Sequence, residues 1–140
     1  MRILLAVDDS EIAVRAVHFV VRLSSQMTKN PDIFLLNVGD PLPREIEDAI
    51  GVQVAVMYHT GKGDITLAMA NKILDEAGIA HDVHFVVGDP AETIVKHAIA
   101  SQCDLIVMGS HGGHPFQALF LGSVTSKVLA HSPMPVTVVK

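Results

Sequence analysis

Cys103-Asp-Leu-Ile-Val-Met108, then Gly109-Ser-His-Gly112, then nine residues and Gly122-Ser123: the reading of this stretch decides the architecture of the chain. The run 103–108 is apolar and β-branched, the signature of a strand buried on both faces in a parallel sheet. Glycines at the end of such a strand let the backbone turn sharply and come close to a ligand. Gly122-Ser123 then opens a helix with Val124, Val128 and Leu129 on its inner side. The first N–H groups of a helix have no partner within it, and together with the helix dipole they favour a phosphate. The spacing G-x2-G-x9-G-S therefore sets an anion-binding helix tip beside a strand end, although such spacing alone also describes ordinary turns.

Outward from this stretch, strand and helix patterns alternate. Residues 2–8 read as a buried strand. Residues 10–28 set Ile12, Ala13, Ala16, Val17, Val20, Leu23 and Met27 on one helical stripe, with Glu11, Arg15, His18 and Arg22 opposite. Asp32 to Val38 is a second strand, and residues 64–77 form a helix with Asp64 as N-cap and Gly78 as its stop. His81 to Val87 is a third strand. Asp89-Pro-Ala-Glu92 is a capping box with proline at the first helical position, and Ala91, Ile94, Val95, Ala98 and Ile99 follow the helix template. The glycine-rich stretch, its helix and a last strand from Val136 to Val139 close the chain. Between Gly39 and Gly63 the pattern is ambiguous: Pro41 and Pro43 break it, residues 44–50 fit a short helix, and the rest reads as a flap. Alternation of this kind builds a parallel sheet covered by helices on both faces, an α/β sandwich of three layers.

Composition narrows the function. A chain of 140 residues is one domain, 1–140, with room for a real core. Apolar content of 49% with 4% aromatic residues and no tryptophan predicts a core of Val, Ile, Leu and Ala. A formal charge of −5 argues against non-specific nucleic-acid binding, which needs a basic face. One cysteine excludes an internal disulfide, and Cys103 opens a buried strand, where a thiol packs as a small apolar group. The first apolar run ends at Asp8-Asp9, too short for a signal peptide or a membrane span, so a cytoplasmic protein without a membrane partner is expected.

In order along the chain, Ile3-Leu-Leu-Ala-Val-Asp8-Asp-Ser10-Glu11, Gly88-Asp-Pro90 followed by Ile94, Gly109-Ser-His-Gly112, Leu119-Phe-Leu-Gly122-Ser123-Val124 and Ser132-Pro-Met-Pro135 before the last strand resemble the universal stress protein family. The resemblance covers the whole chain and is weakest over residues 40–64. It implies a five-stranded parallel sheet of order 3-2-1-4-5, of the Rossmann-like, adenine nucleotide alpha hydrolase-like type. It implies ATP, with or without Mg²⁺, or AMP or another adenine nucleotide as ligand. Residues matching the ATP-binding members of the family are Asp8, Val38, Met108, Gly109, Gly112, Gly122, Ser123 and Val124. In that scheme Val38 and Met108 border the adenine. The last strand, 135–139, pairs with its symmetry mate in a homodimer, and a regulatory protein partner of unknown identity is expected.

In the implied strand order Asp8 and Gly109 end neighbouring strands whose following connections diverge, and ligands bind at such a switch point. Asp8 is then placed to accept hydrogen bonds from ribose hydroxyls, with capping of helix 10–28 as the alternative, a role that Asp9 or Ser10 could fill instead. The N–H groups of Gly122, Ser123 and Val124 and the Ser123 hydroxyl are placed for phosphate oxygens. Val38 and Met108 fit core packing equally well. The loop 113–121 has no Lys or Arg, leaving His111 and His114 as its sources of positive charge, so modest, acid-strengthened affinity is expected.

Other signals are set aside. Gly61-Lys62-Gly63 imitates a P-loop, but Val56 stands where the first glycine belongs and Gly63 where Ser or Thr would hold Mg²⁺. His81 and His84, three apart on a strand, point to opposite faces, and His18, His97 and His131 are expected on solvent-facing or terminal helix positions, so no metal site is expected. No catalytic residue is evident, and no nucleophile elbow is present. The expectation is a regulatory module that binds ATP and hydrolyses it slowly if at all. The alternatives are a slow ATPase using the same pocket and a homodimeric interaction protein without nucleotide. Val7-Asp8-Asp9-Ser10 also imitates a phosphoacceptor receiver domain, but strand 103–108 ends without an acid and no helix follows Val139.

Overall fold

A computed structural model describes residues 1–112 and 121–140. Its elements are β1 (Arg2–Ala6), α1 (Glu11–Ser25), β2 (Asp32–Gly39), α2 (Arg44–Ile50), α3 (Val52–Glu76), β3 (His81–Val87), α4 (Pro90–Ala100), β4 (Leu105–Gly109), α5 (Ser123–His131) and β5 (Val136–Val139). The five strands are all parallel, in the order β3-β2-β1-β4-β5, as the family pattern implied. Alternation along the strands divides the core into two layers. Ile3, Leu5, Ile33, Leu35, Leu105 and Val107 face α1 and α3. Leu4, Ala6, Leu36, Ile106 and Met108 face α4 and α5. Central strands covered on both faces are apolar where they are buried, as Ile3 to Ala6 of β1 and Leu105 to Met108 of β4 are.

Local chemistry sets most boundaries. Ser10 is the N-cap of α1, its hydroxyl oxygen accepting the Ala13 N–H at 3.1 Å. Asp89 caps α4 by accepting the Glu92 N–H at 2.9 Å, and Pro90 follows it in the first turn. Gly78, at φ +67°, ends the third helix as expected.

Two sequence expectations are corrected. Asp64 is not an N-cap: α3 begins at Val52, and the stretch read as a flap is helical. Its β-branched valines and two glycines weaken intrinsic helix propensity, but Ala55 is buried and Gly63 admits Phe85 against the helix. A Cβ on Gly63 would lie 2.5 Å from the Phe85 ring. The turn between α2 and α3 is made by Gly51, whose φ of +78° with ψ of 155° is open only to glycine. The second correction concerns inner faces: Ile99 and Leu129 match the helical template yet are 52% and 42% exposed, each at the last turn of its helix.

Candidate functional site

The carboxyl ends of β1 and β4 are in register, with Ala6 beside Met108, and the chain leaves them in opposite directions. A cleft of about 720 Å³ opens there, and all eight residues singled out from the sequence line it: Asp8, Val38, Met108, Gly109, Gly112, Gly122, Ser123 and Val124. Val38 and Met108 pack into the α4–α5 core layer, and one side of each also borders the cleft.

Asp8 is exposed at the cleft and is not the cap of α1. Its Oδ1 accepts the Ser10 N–H at 3.0 Å and the Ser10 hydroxyl, which orients both the cap and the carboxylate. The loop behind it is anchored by Asn37, a buried side chain at the end of β2 whose amide donates to the Val7 carbonyl at 2.8 Å. Sequence reading passed over Asn37. The one available clue was a polar residue inside an otherwise apolar strand.

The glycines act by making room. None of Gly109, Gly112 and Gly122 has positive φ, so what each provides is the missing side chain rather than a left-handed backbone. A Cβ on Gly109 would fall 2.9 Å from Ile12 Cγ2, so this glycine, which also lines the cleft, lets α1 close on β4. A Cβ on Gly112 would stand 3.1 Å from Asp8 Oδ2, in the space beside the carboxylate. At Gly122 it would meet the His111 backbone at 3.0 Å, forcing the two sides of the glycine-rich segment apart.

The tip of α5 has the expected anion geometry with one change. The Gly122 N–H is already bound to the Ser110 carbonyl at 2.8 Å and is not free for a ligand. The N–H groups of Ser123, Val124 and Thr125, the first three helical residues, have no partner among the described residues, and no side chain caps them. Thr125 hydroxyl donates to the Gly109 carbonyl at 2.9 Å, which ties the helix tip to the strand end.

Positive charge comes from residues that the sequence reading did not assign. Lys127 lines the cleft one turn into α5, its Nζ 3.9 Å from Asp89 Oδ2 at the start of α4. Lys62 lines it from α3, within the false P-loop. The signal for Lys127 was its spacing: four residues beyond Ser123 it shares that residue's helix face. Lys62 could not be found this way, because α3 was not recognised so far toward its start. His111 borders the cleft, whereas His114 and most of the loop 113–121 lie outside the described residues. Three acids, Asp9, Asp40 and Asp89, also border it, yet no three His, Cys, Asp or Glu side chains among the described residues are grouped to hold a metal.

His97 departs from expectation. Instead of facing solvent it is half-buried, its ring 4.6 Å from that of His84. His81, on the other face of β3, is engaged by Asn71 and the Ile79 carbonyl, so the two strand histidines do point apart. Burial, and after it the neighbouring His84, lowers the pKa of His97 below its ordinary 6.5. Burial raises that of the Cys103 thiol, as befits a packed rather than a reactive cysteine.

A doubly covered parallel sheet with a helix tip, a carboxylate and two lysines around a cleft at its switch point defines a three-layer α/β protein of the Rossmann-like class. The chain belongs to the Universal stress protein family, whose profile matches residues 1–140. Stress response protein NhaX of Bacillus subtilis is 33% identical over 118 residues, 84% of this chain, which spans only 63% of the length of NhaX. Universal stress protein MJ0577 of Methanocaldococcus jannaschii is 32% identical over 99% of this chain and 94% of its own. The solved MJ0577 structure superimposes with a TM-score of 0.84, covering 99% of this chain and 94% of that one, at 34% identity. The universal stress protein of Archaeoglobus fulgidus solved in complex with dAMP shares the fold, with a TM-score of 0.72 at 22% identity, covering 100% of this chain and 98% of that one. No helix among the described residues is long and apolar enough to cross a membrane.

Proposed function

We propose that the cleft binds an adenine nucleotide, ATP with its Mg²⁺ in the first instance, as the signal input of a cytoplasmic regulatory domain spanning residues 1–140. The observation that carries this reading is the set of Ser123, Val124 and Thr125 amides, without partners among the described residues, on the same helix as Lys127 and at the same cleft as Asp8. The amides and Lys127 Nζ would hold phosphate oxygens, Asp8 would accept the ribose hydroxyls, and Val38 and Met108 would flank the base. The adenylate in the Archaeoglobus relative supports this choice of base. Magnesium would arrive on the phosphates, since the chain offers no metal cage of its own among the described residues. The triphosphate of ATP extends further past the helix tip than the single phosphate of AMP, and Lys62 and Lys127, both lining the cleft, would supply positive charge to it.

Hydrolysis would be slow if it occurs at all: no residue is identified as a general base for an attacking water. The chain would act as a homodimer through the open edge of β5, with an unidentified protein as the receiver of the signal. Calorimetric titration with Mg-ATP tests the reading. The expected dissociation constant is micromolar, worth about −8 kcal/mol. Absence of heat at millimolar ligand, with the protein folded, would end the proposal. Phosphate release well above that of Gly122→Val would favour the slow ATPase instead.

A further inference from the structure

Helix α3 is apolar on two sides. One side, with Ala55, Leu67, Ala70 and Leu74, is buried against the sheet and α1. On the side facing away, Val54, Met57, Tyr58, Ile65 and Met69 recur at helical spacing around Gly61, with Met57 74% and Ile65 78% exposed. This stripe runs from 54 to 69, about 22 Å of helix at 1.5 Å per residue. A surface helix ordinarily presents charge there, and an apolar face this long marks a contact surface.

The charged residues of α2 and of α3, the helix that carries the stripe, are mostly acidic. Arg44 to Glu76 contains three basic and six acidic residues, a balance of −3 within a chain of −5. Of the basic residues, Lys72 is paired with Glu76 at 3.9 Å, and Lys62 lies over the Tyr58 ring, 5.9 Å from its centre. Glu47, Asp48, Asp64 and Asp75 form no ion pair among the described residues. A second cavity of about 270 Å³ lies between α1 and α3, lined by Val14, Val17, Ile65 and Met69 and bordered by Asp9 and Glu11, so it continues the stripe and carries acids at its own edge.

We propose that this face is a docking site for a cationic amphipathic helix of another protein. Its apolar side would lie along Met57 and Ile65, one large side chain would enter the α1–α3 cavity, and its lysines or arginines would meet the acidic residues of α2 and α3. Charge complementarity selects this occupant. A second copy of the chain would set one segment of −3 against another, and a membrane surface is itself anionic.

Fluorescence anisotropy with a labelled 18-residue Leu/Lys amphipathic helix tests the proposal on the full chain. Micromolar binding is expected, at least tenfold weaker for a Leu/Glu helix and for a Leu/Lys peptide of the same composition scrambled to destroy its apolar face. Met57→Lys and Ile65→Lys should each weaken binding at least tenfold while leaving the circular dichroism spectrum and Tm unchanged. Ile99→Lys, at an exposed site on α4, should change nothing. Equal binding of the scrambled peptide, or indifference to the two stripe variants, would overturn the proposal. So would a dimer in sedimentation that Ile65→Lys dissolves, or tighter binding to anionic vesicles than to the peptide.

Discussion

At the scale of single residues, the cleft is governed by small distances and by competing charges. Lys127 is held 3.9 Å from Asp89, so a bound phosphate must compete with that carboxylate for the ammonium. Lys127→Ala is expected to weaken nucleotide binding about tenfold, near 1.4 kcal/mol, in calorimetric titration. Asp89→Asn should tighten it by about threefold, since asparagine preserves the cap of α4 while removing the competing charge. His97 gives a pH prediction with a definite sign. Its folded-state pKa lies below 6.5, so the unfolded chain binds more protons as pH falls through 6.5, and the folded state loses stability from there downward until its own pKa is reached. Thermal midpoints between pH 7.5 and 5 should therefore fall less steeply in His97→Phe than in the parent. Parallel slopes would remove His97 from the account.

At the scale of elements, α3 shows how context outweighs propensity. Gly61 and Gly63 are two residues apart on one helix, yet their environments are opposed. Around Gly61 no atom lies within 4 Å of a would-be Cβ, so Gly61→Ala should stabilise the protein by about 0.5–1 kcal/mol through helix propensity. At Gly63 the same methyl would fall 2.5 Å from Phe85, and Gly63→Ala should cost about 1–3 kcal/mol in urea denaturation. Both changes look alike in the sequence. Element ends set by local signals were legible there, as with the side-chain cap Asp89 before Pro90 at α4 and the left-handed Gly78 after α3, because each boundary depends on residues within one turn. The start of α3 was not, since Gly51 opens it with no side-chain cap to mark the boundary.

At the scale of the whole molecule, the sheet has two open edges, at β3 and β5. The carbonyls of Pro135 and Val139 are bound to β4, so the backbone groups of Val136 and Val138 point outward, unpaired within the described chain. Those are the groups that a two-fold pairing of β5 would use. Val138→Pro removes one outward N–H and leaves the ladder to β4 intact, as an edge strand tolerates. In sedimentation at tens of micromolar the parent chain is expected to run as a dimer, and Val138→Pro as a folded monomer. A monomeric parent would refute the pairing.

Alternating apolar runs and caps were enough, by themselves, to determine a doubly covered parallel sheet, because these features depend on neighbours in the chain or on burial on both faces. The eight residues that line one cleft came from the resemblance of the ordered motifs to the family. Only the tertiary structure decided what the glycines do, which amides remain free and where the positive charge comes from. Gly109 answers to Ile12, the Gly122 N–H to Ser110, and Lys62 lines the cleft from a helix that packs on Phe85 of β3 at Gly63. Such relations join residues far apart in sequence, and excluded volume enforces them only once the layers have closed.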